Sequence, residues 1–498
     1  MKKGRLSVVL LAALMWSVLS NATPHNHTKA VKKAVPATVA PVSLTPASVP
    51  PTTAAQINYV VEQGGTSTIG VMIKNLSTGQ ILYQSNINQP LVPASNLKVF
   101  TATAALEYLT PNFQYKTYIA SATPAIVNGV FHGDLYLVFS GDPSLTRQDI
   151  NDLFAQLKQQ GIGRIIGHIY LDDTLFDHDA SVPDALAEDA SYCFSAPVFA
   201  DNLDHNCIGI TAKPSLRVGA PALVSLIQQP NSMNLINQIT TASRKSCNIV
   251  ATPSANNSYL LTGCISSRAK AQYFSVPAQN MRVYSMGVVQ IALKQANISL
   301  AGQILFGKKS IHMQVMASHQ SDPLPVLLKH MLKESDNLYA NSIVKTVGAY
   351  YSKRQGTWQT GTSAVMSILT KYNQVDFTSA NLVDGAGLSR LNVITPAQML
   401  QVLTTVYQKP AIFAALMQAL PIAGVDGTLK SRLTDAAYRN NVHAKTGTMS
   451  DVSSLSGYLQ NRSKQTIAFA IMINDNSPHP AKYRKIEDTI CKILILSK

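Results

Sequence analysis

The sequence predicts an α/β (α+β) protein: one antiparallel sheet with flanking helices, interrupted by a large mixed α/β insertion. Three observations lead there. Strand-and-turn patterns stand at both ends of the chain, with helical periodicity between them. Two motifs placed on helical segments, Ser95-Asn96-Leu97-Lys98 and Ser335-Asp336-Asn337, are 240 residues apart. That interval carries strand and helix patterns of its own, together with four of the five cysteines.

The first hairpin is read at Thr68–Lys74 and Gln80–Tyr83, around a turn at Asn75 to Gly79. Ser95 opens a run with helical spacing, Leu97, Thr101, Ala105, Tyr108 and Leu109. Strand-like runs follow at Gly133–Phe139 and Ile165–Leu171, with a helix at Ile150–Gln160. The Ser335 motif falls between helical segments Leu324–Leu332 and Tyr339–Tyr351. A second hairpin, Ser454–Leu459 and Gln465–Ile473, turns at Asn461 to Lys464, just after Lys445-Thr446-Gly447-Thr448. The expected division is 56–111 plus 315–498 for a discontinuous catalytic domain, with 112–314 inserted.

At the N-terminus, Lys2, Lys3 and Arg5 precede the apolar run Leu6–Leu19 and the small-x-small site Ser20-Asn21-Ala22, the pattern of a cleaved signal peptide. Export places the folded part in the periplasm. Residues 23–55, rich in Pro, Ala, Thr and Val, read as an extended tether. The chain is expected to lack a glycosyltransferase-sized N-terminal domain. Net charge is +15, and +12 without the three signal-peptide cations. No basic stripe is interleaved with aromatics, so nucleic acid is a poor fit; peripheral contact with an anionic membrane or cell-wall polymer suits better. Cys193–Cys207 and Cys247–Cys264 is the simplest pairing, though four cysteines allow three connectivities. Cys491 lies on an apolar helical stripe and reads as a buried thiol. No zinc spacing occurs, and neither metal nor other cofactor is implied.

Single motif matches are weak. Ser267-Arg268-Ala269-Lys270 also fits S-x-x-K, and Ser232-Met233-Asn234 and Ser254-Ala255-Asn256 fit S-x-N, whereas K-T-G occurs once. Taken alone, Ser95 would be a helix N-cap and Lys98 a solvated charge. All three motifs in order are the signature of class A β-lactamases and penicillin-binding proteins. An unactivated Ser needs a base within hydrogen-bond range. Lys98 suits if partial burial and a second cation, Lys445, depress its pKa.

From about residue 60 onward the chain resembles the penicillin-binding protein 4-type D-alanyl-D-alanine carboxypeptidase/endopeptidases, the low-molecular-mass class C group with an insertion between the first two motifs. Gly141-Asp142-Pro143-Ser144-Leu145, Cys193-Phe194-Ser195-Ala196-Pro197, Asp384-Gly385-Ala386-Gly387-Leu388-Ser389-Arg390 and Gly424-Val425-Asp426-Gly427-Thr428-Leu429 carry the likeness beside the motifs. It implies a β-lactamase/transpeptidase-like sheet and a periplasmic serine peptidase that trims or cuts peptidoglycan stem peptides and is acylated by β-lactams. It also implies roles: Ser95 nucleophile, Lys98 base, Ser335 proton relay from Lys98 toward the leaving amine. Asn337 would hold Lys98 and the substrate amide. Lys445 with Thr446 or Thr448, beside Gly447, would bind the terminal carboxylate. Backbone N–H groups of Ser95 and Thr448 would form the oxyanion hole. The two glycine turns would be structural, with positive-φ glycines. Asp189 stands where family members place a carboxylate for a free amine, although Val182–Ala187 lacks the tryptophans often found there; a solvated surface Asp is the alternative. Residues 338–444 contain no Glu to activate a deacylating water, which argues against a β-lactamase. A non-catalytic cell-wall scaffold is the remaining rival.

Overall fold

The computed structural model describes residues 52–498, apart from 123–124, 228–232, 245, 255, 311 and 478. The expected signal peptide and nearly all of the tether lie outside the described residues. The tether reading ran too far: helix Thr53–Glu62 begins inside it, capped by Thr52, whose hydroxyl accepts from the Ala55 N–H at 3.2 Å.

The central sheet is antiparallel and runs in the order His443–Thr448, Val452–Gln460, Thr466–Asn474, Thr68–Asn75, Ile81–Ser85. N- and C-terminal hairpins thus close one sheet, as the sequence predicts. Strand Thr466–Asn474 is apolar at almost every position because both its faces are covered. Ile467, Phe469, Ile471 and Ile473 meet Ile57 of the first helix and Tyr483, Ile490 and Leu494 of the last, Pro480–Leu496. Ala468, Ala470 and Met472 meet the helical body. The last helix therefore spends its apolar face on the sheet. Among the described residues no helix is long and apolar enough to cross a membrane.

The helical body surrounds Lys98–Tyr108, whose residues 98–106 are all buried. Helices Leu324–Lys333, Asn337–Ser352, Trp358–Asn373 and Pro396–Tyr407 pack around it. A helix buried on all sides needs apolar or small residues throughout. Lys98 is the exception, and it marks the site.

The interval between the motifs forms two further cores. In the first, helices Arg147–Gln159 and Met281–Gln295 cover a five-stranded mixed sheet, Ile304–Phe306, Ile169–Asp172, Leu135–Val138, Lys116–Ser121, Gln314–Gln320. A small β module nested within it has its own core around Ile210, Tyr259 and Leu261. Strand Gln314–Gln320 pairs with Lys116–Ser121, so the insertion runs to about residue 320 rather than 314. Its two chain crossings lie side by side, with mutual hydrogen bonds between Tyr115 and Ser321. The expected strand Ile165–Leu171 is in fact two, Arg164–Ile166 and Ile169–Asp172, in different sheets. Gly167 separates them at φ 145°, where a Cβ would lie 2.0 Å from the Gly133 carbonyl oxygen.

Disulfides join Cys193–Cys207 and Cys247–Cys264, and Cys491 is a buried free thiol. Each closes a short loop, which in a chain-entropy model stabilises by about 3 kcal/mol.

The insertion is fastened along one helix, Asn337–Ser352. Asn202 Nδ2 donates to Ser342 Oγ at 2.8 Å, and Ser342 Oγ donates to the Gly141 carbonyl at 2.6 Å. Further along, buried Lys345 donates to Asp177 Oδ1 at 2.7 Å and to the Asp179 carbonyl at 2.6 Å, and sits over the Trp358 ring. Lys345→Ala is expected to cost about 3 kcal/mol in denaturant unfolding, near the low end for a broken buried pair because Asp177 can rehydrate. An unchanged unfolding midpoint would show that this clamp carries no stability.

Candidate active site

Ser95 lies in a 3₁₀ turn, Ala94–Leu97, that leads into the buried helix. Neither turn nor helix has a side-chain cap, so the Ser95 hydroxyl is not spent as an N-cap. Instead it accepts from Lys98 Nζ at 2.9 Å. Lys98 also donates to Asn337 Oδ1 at 2.7 Å and to the Ala386 carbonyl at 2.9 Å. Three acceptors hold an ammonium or amine that has no contact with water, its exposure being 0 %.

Burial pushes the Lys98 pKa down to about 7, against the opposing pull of Asp384 and Asp336. The sequence expectation was partial burial plus repulsion from Lys445. Burial is in fact complete and is the main cause. Lys445 is itself held well below the ordinary lysine range by burial and by Lys98.

Ser335 follows helix Leu324–Lys333 at φ 60°, a left-handed conformation that costs a non-glycine residue about 1–3 kcal/mol. Its hydroxyl accepts from Lys445 Nζ at 2.9 Å. The expectation coupled Ser335 to Lys98, but the hydrogen bond comes from the other lysine. Asn337 matches half of its expectation: Oδ1 holds Lys98, while Nδ2 donates to the Phe194 carbonyl of the insertion at 2.8 Å.

Lys445 to Thr448 belong to strand His443–Thr448, at the end of the sheet order. Alternation places Thr446 and Thr448 on the same face, so their neighbours along the strand decide between them. Thr446 is 8 % exposed and its hydroxyl donates to Thr428 Oγ1 at 2.8 Å, whereas Thr448 lines the cavity at Ser95. Of the two threonines proposed for the carboxylate, the geometry favours Thr448. Gly447 is required for close approach: a Cβ there would lie 2.5 Å from the Pro93 carbonyl oxygen and 2.2 Å from Ser454 Oγ.

Asp384 organises the next segment. Its carboxylate accepts from the N–H groups of Ala386, Gly387 and Ser389 at 2.8, 2.6 and 2.7 Å, and from Asn392 Nδ2 at 2.9 Å. This fixes the Ala386 carbonyl on Lys98. Sequence reasoning took the turn as structural and missed its link to the lysine, because a backbone acceptor leaves no side-chain signal. Gly387, Gly424 and Gly427 have positive φ, as expected, whereas Gly385 does not.

The cavity, about 490 Å³, is walled by Ser95, Ser335, Asn337, Leu388, Arg390 and Thr448 on one side. On the other side the insertion contributes Asp184, Glu188, Asp189 and Phe194. Asp189 therefore lines the same cavity as Ser95, and burial with Glu188 nearby raises its pKa. Asp184 and Glu188 were missed in the sequence, as was Arg390, which forms a two-point ion pair with Asp451 at 2.6 and 3.1 Å.

A serine and two buried lysines linked by such hydrogen bonds, on a transpeptidase-like sheet, define a serine–lysine class of site. The chain belongs to the D-Ala-D-Ala carboxypeptidase 3 (S13) family, whose model matches residues 53–494. It is 36% identical over 417 residues to the D-alanyl-D-alanine carboxypeptidase DacB of Haemophilus influenzae, covering 82% of this chain and 86% of that one. It is 32% identical over 425 residues to the D-alanyl-D-alanine carboxypeptidase of Actinomadura sp. strain R39, covering 82% and 78%. The crystal structure of penicillin binding protein 4 from H. influenzae superposes with a TM-score of 0.81 at 32% identity, over 89% of this chain and 99% of that one. A second structure of that protein is complexed with a β-lactam, with a TM-score of 0.76 at 32% identity and the same coverage.

Proposed function

We propose that this chain is an exported serine D-alanyl-D-alanine carboxypeptidase that acts on peptidoglycan stem peptides in the periplasm. The observation that carries the reading is the 2.9 Å contact between Ser95 Oγ and a Lys98 whose pKa burial lowers to about 7. Neutral Lys98 takes the Ser95 proton as Oγ attacks the carbonyl of the penultimate D-Ala. The N–H groups of Ser95 and Thr448 receive the oxyanion, a contribution of several kcal/mol in such sites. The terminal carboxylate lies toward Lys445 and Thr448. The C–N bond breaks, the leaving D-Ala nitrogen takes the proton that Lys98 drew from Ser95, and water then hydrolyses the acyl-Ser95 ester. Two disulfides suit an oxidising compartment.

Endopeptidase cleavage of D-Ala–diaminopimelate cross-links is a second activity of the same site. The Asp184, Glu188 and Asp189 carboxylates in the cavity wall favour it, since they offer a seat for a free amine. β-Lactams acylate Ser95 in the same geometry.

The test is D-Ala release from a synthetic stem pentapeptide, with its side-chain amine free or acetylated. Ser95→Ala should abolish release, and Asp189→Asn should raise KM only for the free-amine substrate. Release by Ser95→Ala at the wild-type rate would refute the mechanism, whereas no release by folded wild-type protein would favour a scaffold role. The pH dependence follows from Lys98, because only its neutral form is a base. Acylation kcat/KM should climb through pH 7 and fall about tenfold per pH unit below it. A profile that is flat from pH 5 to 8 would contradict the assignment of Lys98.

A further inference from the structure

Outside the serine–lysine constellation, the described residues hold one cluster of metal-ligating groups, His205, His330 and Asp336. The three come from separate places: the insertion, the helix Leu324–Lys333 and the middle of the Ser335–Asn337 motif. Asp336 Oδ2 lies 3.1 Å from His330 Nε2 and 3.5 Å from His205 Nδ1, and all three donor atoms fall within 4.8 Å of one another. A tetrahedral ion with bonds of about 2.0–2.2 Å needs donors roughly 3.4 Å apart. Both separations from Asp336 lie close to that value.

The donors are also oriented. Asp336 Oδ1 accepts from the Tyr339 N–H at 3.1 Å, which turns Oδ2 toward the imidazoles. The Tyr339 ring lies against both histidines, with centroids at 4.4 and 5.7 Å. His205 sits in the middle of three consecutive left-handed residues, Asp204, His205 and Asn206, at φ 51°, 58° and 51°. The His205 side chain is 50% exposed and that of His330 38%, so an ion has a path from solvent and water can complete its shell.

We propose that His205, His330 and Asp336 form a site for one divalent transition-metal ion of the zinc class, which ties the insertion to the Ser335–Asn337 motif. Two imidazoles and one carboxylate favour such an ion over magnesium or calcium, which prefer oxygen-only shells. The positive end of helix Asn337–Ser352 opposes a cation and weakens its binding. The inference does not depend on the reading of Ser95.

Tag-free mature protein, stripped with EDTA and dialysed, is titrated with Co²⁺ near neutral pH and then with Zn²⁺. One equivalent of Co²⁺ should develop visible d–d bands that Zn²⁺ abolishes, and Zn²⁺ should raise the melting temperature. His205→Ala and His330→Ala should each weaken Co²⁺ binding by more than about 100-fold, beyond the loss of an outer partner. Circular dichroism verifies their folding, with His205→Asn and His330→Gln as replacements if an alanine variant does not fold. No stoichiometric uptake by the wild type, or uptake that persists in the double variant, would overturn the proposal.

Discussion

Lys98→Met is expected to slow acylation of Ser95 by about 10²–10⁴-fold while leaving the protein folded. Lys98 is the only charged side chain of its helix that is wholly buried among apolar and small residues, and the burial that lowers its pKa also penalises its ionised form. Methionine fills a similar volume without that penalty. It leaves Asn337 Oδ1 and the Ala386 carbonyl without their donor. These effects oppose each other, so stability should change by less than about 2 kcal/mol in either direction. Stopped-flow acylation by a chromogenic β-lactam, with thermal melts of the same samples, separates the two. A variant that folds and still acylates at the wild-type rate would remove Lys98 from the mechanism.

Asp384→Ala should have the largest effect on stability. The buried carboxylate satisfies three backbone N–H groups at short range and the Asn392 amide, and all four donors would be left in a dry turn. Unsatisfied buried donors cost about 1–3 kcal/mol each, and partial relaxation brings the total to about 3–5 kcal/mol. The Ala386 carbonyl would drift from Lys98, so acylation should fall as well, although Asp384 touches neither Ser95 nor the substrate. Denaturant unfolding checks the first effect and acylation rate the second. A loss of rate with no loss of stability would mean that the charge of Asp384, rather than the turn it holds, is what matters.

Legibility of the sequence followed how local each determinant is. The motif residues and both terminal hairpins rest on short-range pattern, and the hairpins closed the sheet as expected. Ser95 and Lys98 are one turn apart on the chain and met in space for that reason. The choice between Thr446 and Thr448 was not legible, because both share one face of the strand and only the contact of Thr446 with Thr428 and the place of Thr448 at the cavity separate them. The break at Gly167 was hidden because it depends on contact with Gly133, far along the chain. Asp184 and Glu188 were invisible as site residues because only tertiary docking of the insertion brings them to Ser95.

Intact-mass analysis after brief exposure to penicillin, with peptide mapping of the adduct, tests the central claim most directly. The account predicts one persistent adduct per chain, on Ser95. Absence of an adduct from folded protein would contradict it, and rapid appearance and loss of the adduct with drug turnover would instead show that a deacylating base acts in the site.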